Sequence, residues 1–236
     1  MAALCEAAAL FLAIHLLVSG TRLRDGIVSV IGEGVYAALF SIASLGALVW
    51  LVISYNAAQK SGPDPLLYDL GVGVRHVGIP LVALAFFIGV QGLFMPNPAS
   101  IRQEAAAGRE GTIKGVLRIT RHPFLWGVAI WSAFHLAANG DQASVVLFGT
   151  LFLVAFLGTF SIDAKRKRKM GAAWGSFTAK TSNIPFAAVL SGRTSLRLGE
   201  SFGWRFWITV AIFLVFLFAH ARVIGVSPFP GGWRPF

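Results

Sequence analysis

Six apolar stretches, each close to twenty residues long, leave this chain few folds to choose from. They fall at about residues 2–19, 34–55, 72–94, 121–139, 143–162 and 205–224. As helices, each is long enough to cross roughly 30 Å of hydrocarbon at about 1.5 Å per residue, allowing for tilt. Turn chemistry separates them: Ser61-Gly62-Pro63-Asp64-Pro65, Pro96-Asn97-Pro98 and Asn139-Gly140-Asp141. The expectation is an all-α, polytopic membrane bundle of about six transmembrane helices forming a single domain over residues 1–236. The fourth and fifth helices, joined by a few residues, should form a tight antiparallel hairpin. Only 13% of the residues are charged and mean hydropathy is +0.72, which excludes an ordinary soluble domain, where about a quarter are charged.

The net charge of +10 would point to nucleic acid in a soluble protein. Here the basic residues lie between apolar stretches, so their partners are lipid headgroups and nucleic acid is not expected. Assigning the connections 19–33, 95–121 and 163–205 to the cytoplasm gathers sixteen of the twenty Lys and Arg on one side, leaving Lys60, Arg75, Arg222 and Arg234 on the other. That asymmetry places both termini outside. The run Lys165-Arg166-Lys167-Arg168-Lys169 contributes most to it and reads as a topology anchor. The first apolar stretch has Glu6 where a signal peptide carries positive charge, so it reads as an uncleaved span. Cys5 is the single cysteine, so neither an internal disulfide nor a two-thiol metal clip is available.

The 163–204 segment is too polar to span. Its stretch Trp174-Gly-Ser-Phe177 through Phe186 predicts a short helix ending before Pro185, with Trp174, Phe177 and Phe186 lying in the membrane interface. Asp64 and Asp69 fall in an outer loop, and Glu33 sits where a helix cap is expected.

All five histidines, His15, His76, His122, His135 and His220, sit in or beside apolar stretches. An imidazole in hydrocarbon costs free energy unless something there uses its lone pair or its N–H. Neutral imidazole is the common axial ligand of haem iron, and a helical bundle supplies the apolar pocket. Depth limits the pairings. His122 and His135 are thirteen residues apart on one helix, hence about 20 Å apart along its axis, and cannot bind one iron. His15 and His135 differ by about 10 Å in height on the same arithmetic, an awkward offset that a porphyrin lying between them would have to bridge. Thr120-Arg121-His122-Pro123 reads as a helix start with Thr as N-cap, and Arg and His there make an anion site. No phosphate loop, no Ser–His–acid order and no metal-spaced Cys/His cluster is present.

Four motifs carry a family likeness. They are the first-span histidine followed by Ser19-Gly20-Thr21-Arg22-Leu23-Arg24; Gly32-x-x-x-Tyr36-x-x-Leu39-Phe40-Ser41; the block Arg118-Ile-Thr-Arg-His-Pro through His135; and Thr181-Ser-Asn-Ile-Pro-Phe through Arg193. Over about residues 10–195 the chain resembles the NnrU family, whose members are linked to nitrite and nitric oxide reduction in denitrifying bacteria, and whose pattern the 15-cis-zeta-carotene isomerases share. The resemblance implies a multi-pass protein of the bacterial cytoplasmic (inner) membrane and a haem b held between two histidines, with ligation changing on reduction. On the isomerase side it implies a hydrophobic polyene substrate such as zeta-carotene; on the other, nitrogen-oxide reductase components as partners. By position, His135 matches the family ligand and His15, four residues before Ser19, is the nearest match to the first-span ligand, with His76 and His220 as alternatives. Arg121 and His122 match the Arg-His-Pro of the family and are expected on the cofactor-binding side. The same Arg-His-Pro block also resembles isoprenylcysteine-type, S-adenosylmethionine-dependent membrane methyltransferases, although Lys165 and Arg166 follow Asp163 where an acidic pair would stand. A non-catalytic membrane scaffold is the third expectation.

Overall fold

The computed structural model describes residues 1–100, 103–109 and 111–232; Arg102 and Arg234, counted above for topology, lie outside them. Among the described residues the secondary structure is helical with no strand. In chain order the helices are α1 (Ala2–Leu12), a π-helical turn (Ala13–Val18), α2 (Arg22–Ile31), α3 (Glu33–Lys60), α4 (Val72–His76), α5 (Gly78–Leu93), α6 (Pro123–Ala138), α7 (Gln142–Met170), α8 (Ala172–Ala179), α9 (Ala187–Leu190) and α10 (Trp204–Val223), with short 3₁₀ turns between them.

Every expected span has a helical counterpart, but the lengths differ. Three helices, α3, α7 and α10, are long and apolar enough to cross a membrane, and a fourth span arises if the first helix and α2, bent by 78°, count as one. The stretch expected at 72–94 breaks after His76, leaving α5 with 16 residues; α6 also has 16. Conversely, α7 runs straight through the basic run to Met170. Lys and Arg in a last turn face the negative end of the helix dipole and favour continuation.

The 19–33 connection also folds further than its sequence suggested. Thr21 Oγ1 accepts from Leu23 N at 3.2 Å and donates to Leu17 O at 2.6 Å, capping α2. Gly32, at φ 82°, then turns the chain into α3 in a conformation that a side chain would strain.

The chain divides into two compact units, Met1–Leu70 with Ser132–Ser161, and Gly71–Trp131 with Ile162–Phe236. In the first, α1 buries Leu4, Ala7, Ala8 and Phe11, an i, i+3, i+4, i+7 stripe, and packs on α3. The opposite face of α3 shows Leu39, Ile42, Leu45, Val49 and Ile53 outward. In water such a patch would drive aggregation; against lipid tails it costs nothing, and α1–α3 association draws on packing rather than on expelled water. The hairpin expected between α6 and α7 is present here: Asp141 Oδ1 accepts from Ser144 N at 2.8 Å, Asp64 Oδ1 accepts from Ala143 N at 3.1 Å, and Leu67 N donates to Gly140 O at 2.7 Å. Asp64 therefore caps α7 instead of standing free in solvent.

In the second unit, α5 and α6 cross in backbone contact. A Cβ on Gly127 would lie 2.6 Å from Gly89 Cα. A core of Ile88, Met95, Val116, Leu117 and Ile119 lies beside this crossing. The helix predicted before Pro185 is α8, but Trp174 and Phe177 do not face the interface. They are buried in a cluster with Ala99, flanked by Ile113 and Met170. Phe186 packs against the Ile88 core with a left-handed backbone, φ 65°, its N–H donating to Ile119 O at 2.8 Å. The apolar residues of this segment reach a protein surface before they reach lipid, and so fold inward.

Candidate functional site

The candidate site residues read from the sequence are divided between the two units. In the second unit the Thr120–Pro123 block meets the Thr181–Asn183 segment. Arg121 N donates to Ser182 O at 2.9 Å and Thr120 Oγ1 donates to Asn183 O at 2.6 Å. Thr120 Oγ1 also accepts from His122 N at 3.2 Å. The helix itself starts at Pro123, with His122 as the residue before it and Thr120 two positions further out, so Thr120 fastens the turn rather than the helix end. Asn97 closes the other side, donating through Nδ2 to Arg121 O at 2.9 Å.

Inside that frame Asp163 collects four donors. Arg121 binds it through two nitrogens, Nε at 2.8 Å and Nη2; His122 Nε2 donates at 2.6 Å; Asn183 Nδ2 donates at 3.1 Å. The side chains keep only 13% (Arg121), 2% (His122) and 19% (Asp163) of their surface exposed. A buried ion pair compensates its desolvation only with geometry of this quality and with its remaining oxygens bonded. The arginine plane also lies over Trp174, 5.9 Å from the ring centre. Arg121 and His122 thus stand together, as expected, but they face Asp163. Asp163 and Asn183 were not among the expected site residues. The signal available for Asp163 was a single acidic residue at the edge of an apolar stretch, one residue short of five consecutive cations.

Two further clasps brace the same unit. Arg118 grips Glu200 through Nε at 2.8 Å and Nη2 at 3.0 Å, with Gly115 N donating to Glu200 at 2.8 Å. These bonds from Arg118 hold the Glu200 carboxyl below its ordinary range. Arg166, from the basic run, pairs with Glu104 and donates to Ser100 O at 2.7 Å, while Lys169 reaches Glu104 at 2.9 Å. Burial alone would raise the Glu104 carboxyl, but the hydrogen bonds from Lys169, its own backbone and Arg166 outweigh that and lower it to about 2. Part of the basic run is therefore internal stapling as well as a topology signal.

The first unit holds His15 and His135. His15 lies in the π-helical turn, marked by the long bond from Ser19 N to Ile14 O at 3.0 Å. Such wide turns are rare and concentrate at functional sites. Its Nδ1 bonds Phe11 O at 2.8 Å, which fixes the tautomer and leaves Nε2 with its lone pair. The ring sits against Phe11, 4.2 Å between centres, and Phe40, 5.4 Å. His135, half-buried on α6, lies 4.9 Å from the Phe148 ring and 5.3 Å from Phe134. The two histidines singled out as a ligand pair are thus both set among aromatic rings within one unit. His76 is exposed on α4, and His220 on α10 bonds Val226 O at 2.7 Å; both belong to the other unit. No group of three or more His, Cys, Asp or Glu able to hold a bare metal ion is found among the described residues, whereas an axial haem pair requires only two.

Against known proteins, residues 3–228 match the NnrU protein family. A 15-cis-zeta-carotene isomerase, chloroplastic, of Zea mays is 27% identical over 177 residues, covering 74% of this chain and 47% of that protein. A protein of the same name from Arabidopsis thaliana is 28% identical over 180 residues, with the same coverage. The chain spans about half the length of the curated relatives it matches. No solved structure matches it.

Proposed function

The chain belongs to the NnrU family, and from that premise we propose that it is a haem b-binding membrane protein acting as a cis–trans isomerase on a hydrophobic polyene, with His15 and His135 as the axial ligands. The observation that carries this reading is His15: a histidine in a π turn, Nδ1 tied to a backbone carbonyl and Nε2 presented among phenylalanines. A ligating imidazole is oriented in this way, through the bond made by its other nitrogen.

The residues fit the group. Nε2 of His15 would supply one ligand nitrogen, with Phe11 and Phe40 as apolar walls about it, and His135 would supply the other among Phe134 and Phe148. Haem iron there would supply a Lewis acid toward a double bond only once one of the two histidines leaves it, since iron with both is closed to substrate. The chain's own part is to hold the His15 imidazole by the Phe11 carbonyl and to set each histidine against apolar rings that keep water from it. Arg121 and His122 act at one remove, as the buried frame that fixes the start of α6, the helix carrying His135.

Two tests separate the parts of the reading. A reduced-minus-oxidised spectrum of detergent-purified protein should show a b-type band, lost in His15→Ala and in His135→Ala; a band unchanged in either variant removes that histidine. Membranes holding the protein, given a 15-cis polyene under reducing conditions, should yield the trans isomer by chromatography, and unchanged substrate would remove the isomerase reading while leaving haem binding.

Support of nitrite and nitric oxide reduction in a bacterial inner membrane is the second reading, and family membership is what favours it; it predicts a co-purifying reductase component and no polyene turnover. A scaffold role predicts a partner and no bound haem. Methyl transfer would need Arg121 and His122 to face a ligand, and both face Asp163.

A further inference from the structure

The seam between the first helix and α3 carries an observation that the histidine pair does not use. Tyr36, on α3, is 7% exposed, and its hydroxyl is buried without a hydrogen-bond partner. Two turns further along the same helix, Ser44 Oγ is also buried and unpartnered. Leaving such a group without a partner is costly, and native proteins hold few of them. Both flank Phe40, whose ring touches His15 on one side, 5.4 Å between centres, and stacks on Tyr36 on the other, 6.0 Å.

The phenol is also held in place. Arg24, on α2, lies over the Tyr36 ring at 5.3 Å and is itself pinned by Glu33 at 3.1 Å and Asp25 at 3.4 Å. A cation on the ring face draws electron density from the phenol and makes its O–H a better donor. The charge of Arg24 beside this ring is already balanced by Asp25 and Glu33. The place therefore selects an acceptor by hydrogen bond more than by charge.

We infer that Tyr36 is the donor that receives a carboxylate arm of the porphyrin whose iron is held by His15, making the α1–α3 seam the anchor for the polar edge of the ligand. This rests on the haem reading above. His15 and Tyr36 both pack on the ring of Phe40, so the ligand nitrogen and the phenol belong to one seam. Tyr36 is a positioning residue: it sets how the ligand sits in the seam and touches no reacting atom.

The test uses Tyr36→Phe, which keeps the ring stack and removes only the O–H. Hemin is titrated into detergent-purified full-length protein and followed by its Soret absorbance, in parallel with hemin dimethyl ester, whose carboxyl groups are blocked. A hydrogen bond to a charged group is worth about 1.5–3 kcal/mol, so the variant should bind hemin about ten- to a hundredfold more weakly. It should match the parent toward the diester. Without ligand it should melt at the same temperature or higher, since an orphaned hydroxyl has gone. Equal hemin affinity in parent and variant overturns the assignment and leaves the haem reading standing. Equal weakening toward the diester also overturns it, because the loss is then not at the carboxylate. A parent protein that binds no hemin overturns both.

Discussion

Asp163 shows how one side chain can decide the fate of several neighbours. Four donors converge on it, and its loss strands a buried guanidinium and an imidazole together. Breaking such a pair from one side costs several kcal/mol because the other charge stays buried. Asp163→Ala should therefore lose about 3 kcal/mol of stability, seen as a lower melting temperature by circular dichroism in detergent, with Asp163→Asn falling less far. Glu104 gives the pH counterpart. Its carboxyl is depressed from 4.5 to about 2, so its stabilising effect is complete above the unfolded value and is lost as pH falls through the folded one. The melting-temperature gap between the parent and Glu104→Gln should be full at pH 6, shrink below pH 4.5 and vanish near pH 2; a gap that is flat across that window counts against the pairing.

At the scale of elements, backbone contact governs the α5–α6 crossing. In an isolated helix Gly→Ala gains about 1 kcal/mol. At Gly127 the new methyl meets Gly89 Cα and Ala85 O at 2.6 and 2.7 Å, so the sign should reverse: Gly127→Ala should cost about 1–3 kcal/mol by forcing the helices apart. A neutral or higher melting temperature would show that the crossing yields. The helices themselves were legible in the sequence because hydropathy over twenty residues depends on nothing distant. The turns Pro96-Asn97-Pro98 and Asn139-Gly140-Asp141 were legible because Gly, Pro and Asn act locally. What the sequence hid was pairing. Trp174 and Phe177 read as an interfacial stripe because nothing near them in sequence announces that Ala99 and Ile113 will cover them. Asp163 read as a lone acid because its partners lie 20 to 42 residues away. The π turn at His15 was invisible for a different reason: an extra residue in a helix changes no composition.

For the whole molecule, the charge asymmetry makes a prediction that the helices alone do not. If the termini lie outside, as that asymmetry expects, Cys5, near the start of α1, should react with a membrane-impermeant maleimide added to intact spheroplasts of an expressing bacterium. In a Cys5→Ala background, Lys167→Cys should react only after the membrane is opened. The reverse pattern would invert the topology. The length of α7 has a consequence of its own. At 29 residues and about 1.5 Å per residue, this helix is roughly 43 Å long, against about 30 Å of hydrocarbon. If the excess falls at the basic Asp163–Met170 end, as the charge asymmetry expects, the clasp of Arg121, His122 and Asp163 sits at headgroup depth. Lipids with longer acyl chains would draw that clasp toward the oil and shorter ones would release it. The thickness of the host bilayer would then bear on how firmly the start of α6 is held.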